Sequence, residues 1–511
     1  MRYGFAIDHR KCIGCHACTV ACKSENEVPL GVYRTWVKYI EKGQFPNTRR
    51  YFTVLRCNHC EDAPCVTVCP TGALFKRPDG IVDFNSAACI GCKSCMQACP
   101  YDALYIDPHQ HTAAKCNYCA HRVDQGLLPA CVVVCPEKAI IAGDLDDPFS
   151  ELAQLVSREQ VSVRKPEQGT RPKVFYLGAD DAGLTPEAVT RGTGYLWGEV
   201  RADGRPAEAV RADGLIAGPV EPTVAYDVHH PKPWGWKVAT YLWTKSIAAG
   251  ALAIAAVLLL FGWGASHATF AVAAPVIGMA FLLVTAVLLV VDLKRPDRFY
   301  YLLTRPNRTS WLVWGGYILS AAGAIAFLWL LAAALGLGGL QTAMMVIGIP
   351  LAAATAGYTA LLFAQAEGRD FWQSPLLLPH LLAQATVAGA SALLLVGAAA
   401  GAPVHDLKVL AGVLAGGLLV AAGLLATELT VPHVNSQVRR TVELITAGPY
   451  RGALWGAVLL LGTLVPLALV ALLFGSGTVV APGVLAALAA LAGLWSYERI
   501  WVSAGQDVPL S

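Results

Sequence analysis

The sequence predicts a two-part chain: a small mixed α+β domain organised by cysteine, followed by a bundle of eight membrane-spanning helices. Three observations carry this. All sixteen cysteines of the 511 residues fall between Cys12 and Cys135. The later part is a succession of apolar stretches, each near the roughly 20 residues that cross a bilayer core. Composition is 55% hydrophobic and only 15% charged, whereas soluble chains are nearer a quarter charged. A net charge of +3 is too mild to point to a nucleic-acid partner.

The cysteines form four runs. The first is Cys12, Cys15, Cys18, Cys22; the second Cys57, Cys60, Cys65, Cys69. The third is Cys89, Cys92, Cys95, Cys99; the fourth Cys116, Cys119, Cys131, Cys135. Proline follows Cys69, Cys99 and Cys135. Three thiolates on a tight C-x2-C-x2-C turn suit three irons of one cubane, and the fourth cysteine, three residues on, points away from it. Run four alone would pass for a zinc site, but runs one and three would not. Met1-Arg2-Tyr3-Gly4-Phe5 leads directly into the first run, with no charged segment ahead of an apolar one, so an exported disulfide scaffold is not expected. Four [4Fe–4S] clusters are.

In two-cluster ferredoxins the fourth cysteine ligates the other cluster. Runs two and three are neighbours with ferredoxin-like spacing, which gives the sets Cys57, Cys60, Cys65 with Cys99, and Cys89, Cys92, Cys95 with Cys69. By elimination runs one and four pair: Cys12, Cys15, Cys18 with Cys135, and Cys116, Cys119, Cys131 with Cys22. His9, His16, His59, His109, His111 and His121 lie among the runs, and with every cubane supplied by thiolates they read as packing or surface histidines.

The fold class expected is therefore a double two-cluster ferredoxin-like domain over 1–145, an irregular polar extension over 146–235, and a membrane domain over 236–511. Asp180-Asp181-Ala182-Gly183, Arg201-Ala202-Asp203-Gly204 and Arg211-Ala212-Asp213-Gly214 read as turns in the extension. Spans are expected near 243–265, 268–291, 311–335, 342–365, 375–399, 407–427, 451–474 and 479–498. Trp243, Trp263, Trp311, Trp372 and Trp495 lie near span ends, as interfacial anchors do.

Cys12-Ile13-Gly14-Cys15-His16-Ala17-Cys18, with Cys57-Asn58-His59-Cys60 and Pro64-Cys65, resembles the four-cluster NrfC-type electron-transfer subunits of molybdopterin oxidoreductases. The tract Lys173–Gly178 fits more weakly. In the membrane part, Asp292-Leu293-Lys294-Arg295-Pro296-Asp297-Arg298-Phe299-Tyr300, then Thr304–Asn307 and Ser310-Trp311, are similar to a loop of NrfD/polysulfide-reductase-type quinone-interacting subunits. Tyr358-Thr359 and Phe371-Trp372 to Pro379-His380 also match. These families are usually separate chains, so the resemblance implies a fusion. It implies a molybdopterin-type catalytic subunit as partner, the quinone pool as the other, and no haem. His380 near a span end and His433 in a loop make no facing pair, which agrees.

Quinone chemistry needs hydrogen-bond donors and a titratable neighbour. Candidates are Tyr241, Lys245, Asp292, Arg295, Tyr358 and His380, with Arg295 expected to hold Asp292 ionised. Against each stands a plainer reading: membrane anchoring or snorkelling for Tyr241 and Lys245, packing for His380, a loop ion pair for Asp292. Glu367, Asp370, Glu428 and Glu443 sit at span ends or in loops, so no carboxylate chain through the spans is expected. Loop arginines cluster on one face, with Lys408 opposite, which puts the cluster domain in the cytoplasm of a bacterial-type inner membrane. The function expected is an electron-transfer and anchor subunit; the rival is an ion-translocating membrane protein with a redox-sensing cluster domain.

Overall fold

The computed structural model describes all residues except 44–46, 192–221, 263–266, 434 and 476–478. By contact the chain divides into two units, Met1–Pro231 with Pro509–Ser511, and Lys232–Val508.

In the first unit β1 (Tyr3–Asp8) buries Phe5, Ala6 and Ile7 completely. An apolar run covered on both faces belongs in the middle of a sheet. Its neighbours are β8 (Ile140–Asp144), antiparallel, and β9 (Val174–Leu177), parallel. A second sheet holds β2 (Thr35–Lys42) and β3 (Arg49–Arg56), paired in an antiparallel hairpin, with β11 (Thr223–Tyr226) and β10 (Thr190–Arg191) beyond β2. Two short hairpins, β4 (Leu74–Lys76) with β5 (Val82–Phe84) and β6 (Leu104–Ile106) with β7 (Ala113–Lys115), lie between the cysteine runs.

This corrects the boundary at 145. Much of the expected linker is structural: β9 and β11 complete the two sheets, and the helix Glu151–Arg158 is capped by Ser150, whose Oγ accepts from the Ala153 amide at 3.1 Å. β9 is four residues long and its partner lies far back in the sequence, so local pattern could not reveal it. Asp180 caps the helix Asp181–Leu184, its Oδ1 accepting from the Ala182 amide at 2.9 Å. The other two expected turns lie outside the described residues.

Among the described residues, the second unit contains eight helices long and apolar enough to cross a membrane. They are α1 (Trp236–Leu260), α2 (His267–Asp292), α3 (Trp311–Ala334), α4 (Gly338–Ala364), α5 (Leu377–Ala399), α6 (Val404–Thr430), α7 (Ala453–Gly475) and α8 (Val480–Ala504). α1 starts seven residues before the expected span, because Lys237 and Thr240 dilute its first turns in apolar character. Small residues let helices touch: a Cβ on Gly250 would lie 1.8 Å from the Ala385 carbonyl oxygen. The first half of α7, Ala453–Leu464, is π-helical. Trp372 is no interfacial anchor. It is fully buried, with its ring 5.5 Å from Trp234, 4.9 Å from Phe363 and 5.8 Å from Trp501.

Candidate functional site: four cysteine sets and a buried membrane cation

Each run bends in the same way. The residue before the second cysteine is left-handed in all four: Gly14 (φ 70°), His59 (φ 43°), Gly91 (φ 68°) and Tyr118 (φ 62°). Glycine takes this conformation at little cost; the other two are held by their partners. His59 is fully buried and its Nδ1 accepts from the Val82 amide at 3.2 Å. The Tyr118 hydroxyl donates to the Gly4 carbonyl at 2.6 Å and accepts from the Gly143 amide at 3.1 Å.

The turns gather cysteines from different runs. One cavity is walled by Cys12, Cys15, Cys18 and Cys135, a second by Cys22, Cys116, Cys119 and Cys131, a third by Cys69, Cys89, Cys92 and Cys95. Cys57, Cys60, Cys65 and Cys99 are each at most 8% exposed, and lie near enough to act on one another electrostatically. So the fourth cysteine of every run stands with another run's three.

The chemistry of these sets fits iron–sulfur clusters. Burial, then repulsion between neighbouring thiolates, raises the thiols of Cys60 and Cys65; such thiols ionise only around a compensating cationic core. Among the described residues no three His, Cys, Asp or Glu side chains are spaced to share one bare metal ion. Backbone amides also reach sulfur: Ala139 donates to Cys135 at 3.2 Å, and Gly91 and Ala113 to Cys89 at 3.4 Å each.

Sequence reasoning does not single out Arg56. At the end of β3 it is fully buried, its Nη1 3.2 Å from Cys131 Sγ and its guanidinium 4.5 Å from the Phe5 ring. Nε and Nη2 find no acceptor among the described residues. The field of Cys131, Cys116 and Cys18 raises its pKa despite burial. Nothing local in Thr-Val-Leu-Arg announces this; the burial comes from the sheet.

In the membrane unit Lys245 lies in the third turn of α1 with no exposure, its Nζ donating to the Ala356 carbonyl of α4 and 5.5 Å from the Tyr358 ring. It does not snorkel. Tyr241 and Tyr358 are each 4% exposed. Glu498 of α8, 1% exposed, is a buried acid within electrostatic reach of Lys245 but not in a salt bridge with it among the described residues. Tyr358 fits against Gly315 of α3, where a Cβ would lie 2.3 Å from its ring.

Family comparisons follow this division. The model described as polysulphide reductase, NrfD, matches residues 226–508. This polypeptide belongs to the NrfD family. Two 4Fe-4S dicluster domain models match 11–73 and 48–145 of the part that precedes the NrfD region. That part is 48% identical over 204 residues to the B component of tetrathionate reductase from Salmonella typhimurium, covering 39% of this chain and 81% of that protein. It is 46% identical over 178 residues to protein NrfC of Escherichia coli K12, covering 34% and 80%. It is 42% identical over 188 residues to the B component of polysulfide reductase from Wolinella succinogenes, covering 36% and 97%. One chain thus joins an NrfC-like [4Fe–4S] electron-transfer part to a multi-pass NrfD part.

In the NrfD part Tyr241 lies within electrostatic reach of Tyr358 and Asp292. Lys245 and Tyr358 meet. Asp292 ends α2 half-buried, and Arg295 is bidentate with Asp297, at 2.9 and 2.8 Å. Two residues apart in a loop, Asp297 is the acid within easy reach. His380, 2% exposed in α5, lies 3.4 Å from Glu428 of α6, and its ring is nearly parallel to that of Tyr497, 6.0 Å away at 17°. Glu428, in the last turn of α6, is buried. Glu498 escapes sequence reasoning because the expected last span ends there; α8 runs on to Ala504 and encloses it.

Proposed function

We propose that this chain is the electron-transfer and membrane-anchor subunit of a quinone-linked molybdopterin oxidoreductase. The convergence of the sixteen cysteines into four sets of four carries this reading, since each set supplies one cubane's ligands. Bound there, four [4Fe–4S] clusters supply one-electron carriage. The names of the relatives, as components of tetrathionate and polysulfide reductases, support a separate catalytic partner for the substrate chemistry. The cluster domain faces the cytoplasm of a bacterial-type inner membrane. Lys294, Arg295, Arg298, Arg305, Arg308, Arg369, Arg439 and Arg440 all lie in connections on the side where α1 begins.

Reduction of a quinone takes two electrons and two protons. Lys245 donates a hydrogen bond to a carbonyl oxygen, Tyr358 and Tyr241 wall the ring, and Glu498 balances the ammonium while protons arrive. Asp292, at the same end of the bundle, brings protons from the aqueous face. No haem is required on this route. The test is turnover of a water-soluble quinone analogue by the purified complex. Asp292→Asn is expected to slow it while the visible cluster spectrum is unchanged. Cluster reduction by the partner with no quinone reaction would sink the proposal. Ion flux in proteoliposomes without any quinone would favour the redox-sensing translocator.

A further inference from the structure

A cleft opens between α5, α6, α7 and α8, lined among others by His380, Gln384, Thr463 and Tyr497. Its construction is unusual. The π-helical start of α7 forms one wall, and extra-wide turns of this kind concentrate at functional sites. Thr463 follows the wider turn, donating to the Val458 carbonyl at 3.0 Å, five residues back. Beside it α7 and α8 touch backbone to backbone, since a Cβ on Gly462 would lie 2.5 Å from Gly493 Cα. Ala421, Ala422 and Ala490 keep the remaining walls shallow.

The polar groups gather on few residues. Gln384 is 4% exposed, lines the cleft, and its Oε1 has no hydrogen-bond partner among the described residues. One turn earlier His380 also lines it, set against Glu428 and Tyr497. An unmet amide oxygen at this depth is costly, so the site is built for a donor. No lysine or arginine is among the lining residues, and the acid beside His380 is unfavourable to an anion. A phospholipid phosphate is therefore a poor occupant. An uncharged, flat head group with hydroxyl donors and an apolar tail suits it well, its ring extending the His380–Tyr497 pair.

We infer that this cleft is a binding site for a lipid-soluble hydroquinone, separate from the reacting position at Lys245. Gln384 Oε1 accepts from one ring hydroxyl, and the small residues of α6 and α8 take the tail. The inference stands whether or not Lys245 marks the reacting site.

The test is equilibrium binding of decyl-hydroquinone to the full chain in detergent, with the clusters held reduced so that no electron moves. The wild-type chain is expected to bind two equivalents. Gln384→Leu and, independently, the cleft-filling Ala421→Phe should each remove one, or weaken it at least 10-fold, with helix content and cluster absorbance unchanged. The charge-free pair Lys245→Met/Glu498→Leu should remove only the other. Two equivalents retained in both cleft variants would overturn the inference. So would a phospholipid that co-purifies, is lost with Ala421→Phe, and resists displacement by the hydroquinone. A single equivalent lost in the cleft variants but kept in Lys245→Met/Glu498→Leu would support the cleft and refute the Lys245 site.

Discussion

Replacing Arg56 by methionine keeps most of the volume of the side chain and removes one positive charge from beside a cluster. Its Nη1 stands 3.2 Å from Cys131 Sγ, but an electron added to a cubane spreads over the core, so the working separation is about 6 Å, and at an effective dielectric of about 20 two unit charges interact there by about 3 kcal/mol. One tenfold step is about 1.36 kcal/mol or 59 mV for a single electron, so the potential should fall by about 120 mV. The cluster held by Cys22, Cys116, Cys119 and Cys131 takes most of the shift. The one that includes Cys18 takes less. Arg56→Lys, which keeps the charge and loses the planar fork, should recover more than half. The assay is a redox titration followed by electron paramagnetic resonance, with iron content as a check on folding. Equal shifts in all clusters, or none beyond about 20 mV in any, would show that the guanidinium serves packing alone.

Three further outcomes are expected. Cys15→Ser with Cys135→Ser should cost one cluster's iron and Cys131→Ser with Cys135→Ser two, because only the first pair shares a set; the reverse order would refute the crossed sets. Lys245→Met alone leaves Glu498 buried without a nearby positive charge and should lower the melting temperature, whereas the double variant with Glu498→Leu should recover it and still slow quinone turnover by about 100-fold. Burial lowers the pKa of His9 to about 4, so the folded state holds it neutral. Its contribution to stability is complete above the unfolded pKa of about 6.5 and is lost as pH falls from there toward 4. Denaturation midpoints should decline over that window, and His9→Gln should flatten the decline.

What the sequence revealed followed from how local the signal was. A cysteine run is a local pattern with one chemistry, so its metal was readable, and glycine at positions 14 and 91 already hinted at the left-handed turn. His59 and Tyr118 adopt the same turn without announcing it, because distant partners hold them. The strand Val174–Leu177 was unreadable for a related reason: it gains its energy only when paired with a strand at the other end of the unit. Lys245 and Glu498 show the opposite failure. Each is a single charged residue that lowers the apolar average of a span, so span ends drawn from hydropathy leave them at the margin. In a folded bundle the pair is tolerated because each charge answers the other.

On the proposed reading, the crossed cysteine sets would make every cubane a cross-link. A core that ties Cys12 to Cys135 closes a loop of about 120 residues, and by the chain-entropy reasoning used for disulfides such a closure is worth about 4–5 kcal/mol. Oxidative loss of that one cluster would do more than break a wire. It would free the strand that opens the chain, Tyr3–Asp8, from the segment that returns to pair with it at Ile140–Asp144, and so expose the middle of a sheet. Loss of the electron path and a looser hold on this sheet would then coincide.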